Sequence, residues 1–157
     1  MSTAAPVLVV FLRHAGCTFC REALADLARQ RPLIEAAGAK ILLVHMGEVE
    51  FSREFFLRYG LADLPSISDP HRHVYRAFGL RRGDLRMLFG PKVWWRGFRA
   101  GVIEGHGIGR LIGDGFQMPG IFLVFHGQIL RCYRHQSAAD RPDYVRFVAP
   151  ESHQPVA

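Results

Sequence analysis

Three short runs of the chain are apolar at nearly every position rather than at every second one. Residues 6–12 (PVLVVFL), 40–45 (KILLVH) and 121–125 (IFLVF) are rich in β-branched side chains and read as buried strands, the first as a central strand covered on both faces. Between them the period changes. Residues 19–37 place Leu24, Leu27, Ala28 and Ile34 at helical spacing, with Pro32 expected to kink or split the helix and Gly38 to stop it. Residues 52–59 read as a helix capped by Ser52 and followed by Gly60. A short strand-like stretch covers Ile67 and Ser68. Asp69 then caps a further helix, with Pro70 at its first position, Val74, Tyr75 and Phe78 on one face and Gly79 at its end.

The turn His126-Gly127-Gln128 returns the chain into a strand over residues 129–133, which makes an antiparallel hairpin. Asp140, with Pro142 two residues on, opens a last helix to about residue 148. The tail from Pro150 is expected to be loose. Residues 81–120 are aromatic and glycine-rich and read as an insert before the hairpin, with short helices at 84–88 and 92–100. The order β-α-β-α-β-α-insert-β-β-α predicts an α/β fold of thioredoxin-like architecture: a central mixed sheet flanked by helices, with a helical or loop insert before the C-terminal hairpin. Residues 1–157 are read as one such domain, without repeat or linker.

Composition is consistent with this. A chain of 157 residues, 49% hydrophobic, buries a core without cross-links. The first ten residues carry no positive segment, and the apolar run stops at Arg13, too short for a leader or a membrane span; a soluble, cytoplasmic protein is expected, with no membrane partner. The formal net charge is +6. That balance can attract an anionic partner. The arginines are scattered with no dense basic run, so a solvated surface is the preferred reading and no nucleic acid is expected. Three cysteines cannot build a disulfide framework, and a reducing compartment follows as the default.

The cysteines change the picture more. Cys17-Thr18-Phe19-Cys20 stands where the first strand ends and the first helix begins. Ligands bind at the carboxyl ends of strands in open α/β sheets, and a helix N-terminus offers free N–H groups and partial positive charge, both of which stabilise a thiolate nucleophile. Residues three apart share a helix face, so Cys17 at the exposed start is expected to attack and Cys20, one turn inward, to resolve through a reversible disulfide. Arg13 and His14 end the preceding strand and bring a cation near the thiolate. Thr18 either donates its hydroxyl toward the sulfur or caps the first turn. Pro119, just before the third buried strand, has two readings: a proline facing the cysteine helix, usually cis in thioredoxin-like sheets, or an ordinary trans proline opening a strand. Cys17 and Cys20 also suit half of a zinc site, but no second pair exists and Cys132 is far off in spacing; no metal and no cofactor are expected. Cys132 itself reads as a small strand residue, and Trp94 and Trp95 as packing within the insert. A non-catalytic binding module using the aromatic insert as an interface is the rival expectation.

The run FLRHAGCTFCREALADL resembles the peroxiredoxin-like branch of the thioredoxin superfamily, the alkyl hydroperoxide reductase/thiol-specific antioxidant (AhpC/TSA) group. Its members carry a strand ending in Arg-His and then Gly-Cys-x-x-Cys-Arg-Glu, here Arg13, His14, Gly16, Cys17, Cys20, Arg21 and Glu22. SDPHRHVYRAFGL and PGIFLVFHGQIL are similar to that group's Ser-Asp-Pro segment and its later hairpin. The resemblance implies reduction of peroxides or disulfides through Cys17, electrons returned by thioredoxin or glutathione, and a homodimer as one admissible assembly.

Overall fold

The structure, a computed structural model, describes residues 5–13, 17–84, 90–91, 95, 114–137 and 139–149. Five strands form one mixed sheet: β1 (Val7–Phe11), β2 (Lys40–His45), β3 (Ser66–Ser68), β4 (Gly120–Phe125) and β5 (Gln128–Arg134). The sheet order is β3-β2-β1-β4-β5. β1, β2 and β3 run parallel, and β4 lies antiparallel on β1 with β5 antiparallel beyond it. The thioredoxin-like α/β architecture expected from the pattern is the one observed. Among the described residues the helices with defined bounds are α1 (Thr18–Ala36), α2 (Val49–Leu57), α3 (His73–Ala77) and α4 (Tyr144–Val148).

The all-apolar run of β1 is explained by two cores. Leu8, Val10 and Leu12 point to one face, where Leu24, Leu27, Ile34, Phe55, Phe56, Tyr144 and Val148 of the helices cover them. Val9 and Phe11 point to the other, against Tyr75, Leu80 and Phe122. A strand covered on both sides has no polar face to display, so its period-2 alternation disappears.

Several boundaries differ from the sequence reading. Pro32 neither splits nor ends α1. Its ring is exposed, while Leu27 and Ile34 on either side are buried and hold both halves to the sheet. Ser52 lies inside α2, not at its cap, because its Oγ is engaged with His45 Nδ1 at 2.8 Å. Arg72, not Asp69, is the N-cap residue of α3, which starts at His73; Asp69 lies before it and its carboxylate accepts from the N–H groups of His73, Val74 and Tyr75, with Pro70 in the turn between. Asp143 caps α4; Asp140 instead accepts from the N–H groups of Gln136 and Ser137 and closes the preceding turn. Cys132 is exposed on the edge strand β5, not packed. Trp95 is 70% exposed, so it is not core packing. Trp94 and most of the insert lie outside the described residues.

Candidate active site

The site grows out of the end of β1. Leu12 N–H donates to Val44 C=O at 2.9 Å, and the buried Tyr75 hydroxyl donates to Leu12 C=O at 2.5 Å and Val44 C=O at 3.1 Å. This ties the strand end down immediately before Arg13. Cys17 is the N-cap residue of α1, and its carbonyl accepts from the N–H groups of Cys20 at 3.0 Å and Arg21 at 3.2 Å. Cys17 and Cys20 are free thiols, one turn apart as expected. Thr18 is the first residue of α1. His14 and Gly16 lie outside the described residues. Cys17 is not at an exposed start: it is 7% exposed, against 4% for Cys20, because both pack into the α1-side core.

Arg13 carries the electrostatics. Its Nη1 donates to Cys17 Sγ at 3.3 Å and its Nη2 donates to Gly115 C=O. The Asp114–Gly115 turn that receives it is itself anchored. Asp114 accepts from Phe116 N–H at 2.9 Å, pairs with Arg82 Nε at 2.9 Å and pairs with Arg72. Burial works to raise the Asp114 carboxyl, but the Phe116 N–H and the Arg82 and Arg72 charges outweigh it and hold it below the usual carboxylate range. Burial pushes the Cys20 thiol well up, and negative charge on Cys17 pushes it further; the Arg13 N–H and the Arg13 and Arg21 charges offset only part of this.

Two small cavities flank Cys20. One, about 30 Å³, is lined by Phe19, Cys20, Pro119, His135, Asp140 and Tyr144 among others, and admits one or two water-sized molecules. The other, about 10 Å³, lies toward His45, Ser52 and Phe55. Pro119 therefore abuts the site, but its peptide bond is trans, since the described residues contain no cis bond. Its carbonyl accepts from His135 N–H at 3.3 Å and extends the β4–β5 ladder, so ordinary extended geometry suffices. Burial lowers the His135 imidazole to about 4, against the opposing charge of Asp140, and its Nδ1 is buried without a hydrogen-bond partner. Behind the cysteines, buried Glu22 and Asp26 are both paired with Arg141, at 3.0 and 2.5 Å, which clips the C-terminal segment to α1.

The sequence reading missed Asp114, Gly115, Tyr75 and His135. Each reaches the site across long sequence separations, and the only local signal was the Asp-Gly turn at 114–115. Cys132 stands opposite Phe122, which stands opposite Val9, so it lies at the middle of the edge strand β5 and away from the strand end that carries Cys17. Among the described residues no group of three or more His, Cys, Asp or Glu side chains is assembled for a metal.

A five-stranded mixed sheet flanked by helices, with Cys17 and Cys20 at the head of the first helix, is a thioredoxin-like α/β fold. Residues 26–137 match the AhpC/TSA antioxidant enzyme family, and the chain belongs to that family. The matched segment starts after Cys17 and Cys20. Peroxiredoxin-like 2A of Mus musculus is 28% identical over 141 residues, which cover 85% of this chain and 60% of that protein. Peroxiredoxin-like 2C of Homo sapiens is 28% identical over 78 residues, 49% of this chain and 34% of that one. The chain thus spans about 60% of the length of the first of these relatives. In fold, it is similar to peroxiredoxin Q of Xanthomonas campestris (TM-score 0.59, 20% identity, 84% of this chain and 69% of that chain) and to BcpB of Mycobacterium tuberculosis (TM-score 0.58, 17% identity, 85% and 71%).

Proposed function

We propose that the chain is a thiol-dependent oxidoreductase that reduces peroxides or disulfides through Cys17, with Cys20 as the resolving thiol. The observation that carries the reading is the Arg13 guanidinium, 3.3 Å from the Cys17 sulfur at a helix N-terminus. A guanidinium in contact with that sulfur suits a sulfur that reacts as an anion, the form in which a thiol is a nucleophile. With a hydroperoxide, Cys17 thiolate attacks the terminal oxygen, the O–O bond breaks and the alcohol leaves after taking a proton, with Cys17 oxidised to a sulfenic acid. Cys20 thiol then displaces water and the Cys17–Cys20 disulfide forms. With a disulfide, Cys17 forms a mixed disulfide and expels one thiolate; Cys20 expels the second. In both cases an external dithiol, or two glutathiones, returns the pair to its reduced form.

The experiment is a single-turnover reaction of the reduced protein with hydrogen peroxide, an organic hydroperoxide and a small disulfide, each followed by mass spectrometry of every cysteine. A Cys17–Cys20 disulfide is expected. Cys17→Ser abolishes its formation, and Cys20→Ser leaves Cys17 stalled as the sulfenic acid or mixed disulfide. Oxidation spread evenly over all three cysteines, or turnover surviving Cys17→Ser, would sink the reading.

A further inference from the structure

The sheet edge that carries the cysteines carries a second feature on its α3 side. The chain after α3, the approach to β4 and the end of β5 enclose a groove of about 620 Å³ walled by Leu80, Arg81, Arg82, Met118, Arg134 and His135. That volume falls within the range of small-molecule sites, roughly 300–1,000 Å³. No carboxylate is among the described residues that line it. Arg82 shares Asp114 with Arg72. Arg134 spends its donors on neutral groups, Phe78 C=O at 2.9 Å and Cys132 Sγ at 3.2 Å, and its guanidinium stacks over Phe122 at 5.1 Å. Gly79, at φ +69°, makes room for it: a Cβ there would stand 3.3 Å from Arg134 Nη2. Among the described residues no carboxylate pairs with this guanidinium, which is held in one place by neutral contacts, and Arg81 adds a second charge to the same wall.

The groove adjoins the cysteine site. His135 lines both the groove and the cavity beside Cys20. Met118 walls the groove while Pro119 and Gly120, next in the chain, wall that cavity.

We propose that this arginine groove binds the anionic part of the substrate, and that the protein reduces carboxylate-bearing disulfides in preference to neutral ones. The inference rests on the reading of Cys17 as the nucleophile. Guanidinium groups fixed in position suit carboxylates, which accept two parallel N–H bonds, and a groove lined by one sign of charge concentrates the opposite ion at its mouth. A phosphate offers related chemistry and is the competing source of the anion.

The test compares glutathione disulfide, which carries several carboxylates, with the neutral hydroxyethyl disulfide as oxidants of the reduced full-length chain. For Arg81→Glu, and separately for Arg134→Gln, the ratio of the two second-order rate constants, anionic over neutral, falls about tenfold, the loss expected for one charge-assisted contact. In parallel, calorimetric titration of a Cys17→Ser, Cys20→Ser, Cys132→Ser protein with glutathione disulfide and with inorganic phosphate reads binding without any redox step, since no thiol is left to exchange. Glutathione disulfide binding that Arg81→Glu weakens supports the groove even where no oxidant reacts at Cys17, which separates the failure of this inference from the failure of the proposed chemistry. A ratio that Arg81→Glu and Arg134→Gln leave unchanged overturns it, as does phosphate bound as tightly as glutathione disulfide, or no binding of either.

Discussion

Replacing Arg13 by glutamine removes one positive charge and keeps a side chain that can still donate a hydrogen bond. The guanidinium stands 3.3 Å from a sulfur that is itself buried, so bulk water screens the contact only in part. A hydrogen bond to a charged partner contributes about 1.5–3 kcal/mol. At ~1.4 kcal/mol per factor of ten, loss of that contact is expected to slow alkylation of Cys17 in Arg13→Gln by up to ~10-fold, less than the full contact energy because a sulfur without its donor is the stronger nucleophile. The assay is a timed iodoacetamide pulse across a pH series, resolved by peptide mass spectrometry, with Cys132 as the internal reference. Superimposable pH–rate curves for parent and variant would refute the role given to Arg13. So would an equal slowing at Cys132, which lies at the middle of the edge strand β5.

Two further expectations concern the walls of the site. Gly120→Ala places a Cβ 2.7 Å from Leu80 Cδ2 and 3.1 Å from the Tyr133 carbonyl, on the side of the core that holds Leu80 and Phe122, and should cost about 1–3 kcal/mol as an overpacking defect; a urea midpoint equal to the parent's would show that Leu80 simply moves aside. His135 is held at about 4 in the fold against 6.5 unfolded, so the unfolded chain takes up a proton that the folded chain refuses. Stability contributed by the neutral imidazole is complete above about pH 6.5 and is lost as pH falls through that window toward about 4, by on the order of 3 kcal/mol. Urea titrations at the two ends of the window should show the loss in the parent and a flatter profile in His135→Asn; the same slope in both would exclude His135 as its source.

Much of this architecture was legible in the chain because it rests on local signals. β1, β2 and β4 announce themselves by apolar runs that lack alternation, and Cys17-x-x-Cys20 by its place between the first such run and the first helical period. What was not legible depends on contacts closed over long loops. Arg13 meets Gly115 across about a hundred residues, and nothing local to either predicts the pairing. Ser52 looks like a cap because its side chain can bond a helix N-terminus, yet His45 offered a better partner. Pro32 looks like a breaker because it lacks an N–H, yet tertiary burial on both sides of it outweighed the one missing bond. Glu22 and Asp26 occupy positions that the helical period makes inward-facing, which composition alone argues against; Arg141 is what makes their burial tolerable.

The contrast between the two thiols sets an order on the proposed reaction. Cys17 has the guanidinium, while Cys20 is shut in apolar surroundings that raise it, and a charge on Cys17 raises it further. As long as Cys17 is a thiolate, Cys20 is held as the neutral thiol, so the two do not compete for the same oxidant. Once Cys17 becomes a sulfenic acid or a mixed disulfide its charge is gone, and one of the causes that held the Cys20 proton disappears. The Arg13 N–H and the Arg21 charge already favour the ionised form there. Attack by Cys17 is thereby made the event that prepares Cys20 to resolve, and the anchoring of Arg13 through Gly115 and Asp114 matters to both halves of the cycle.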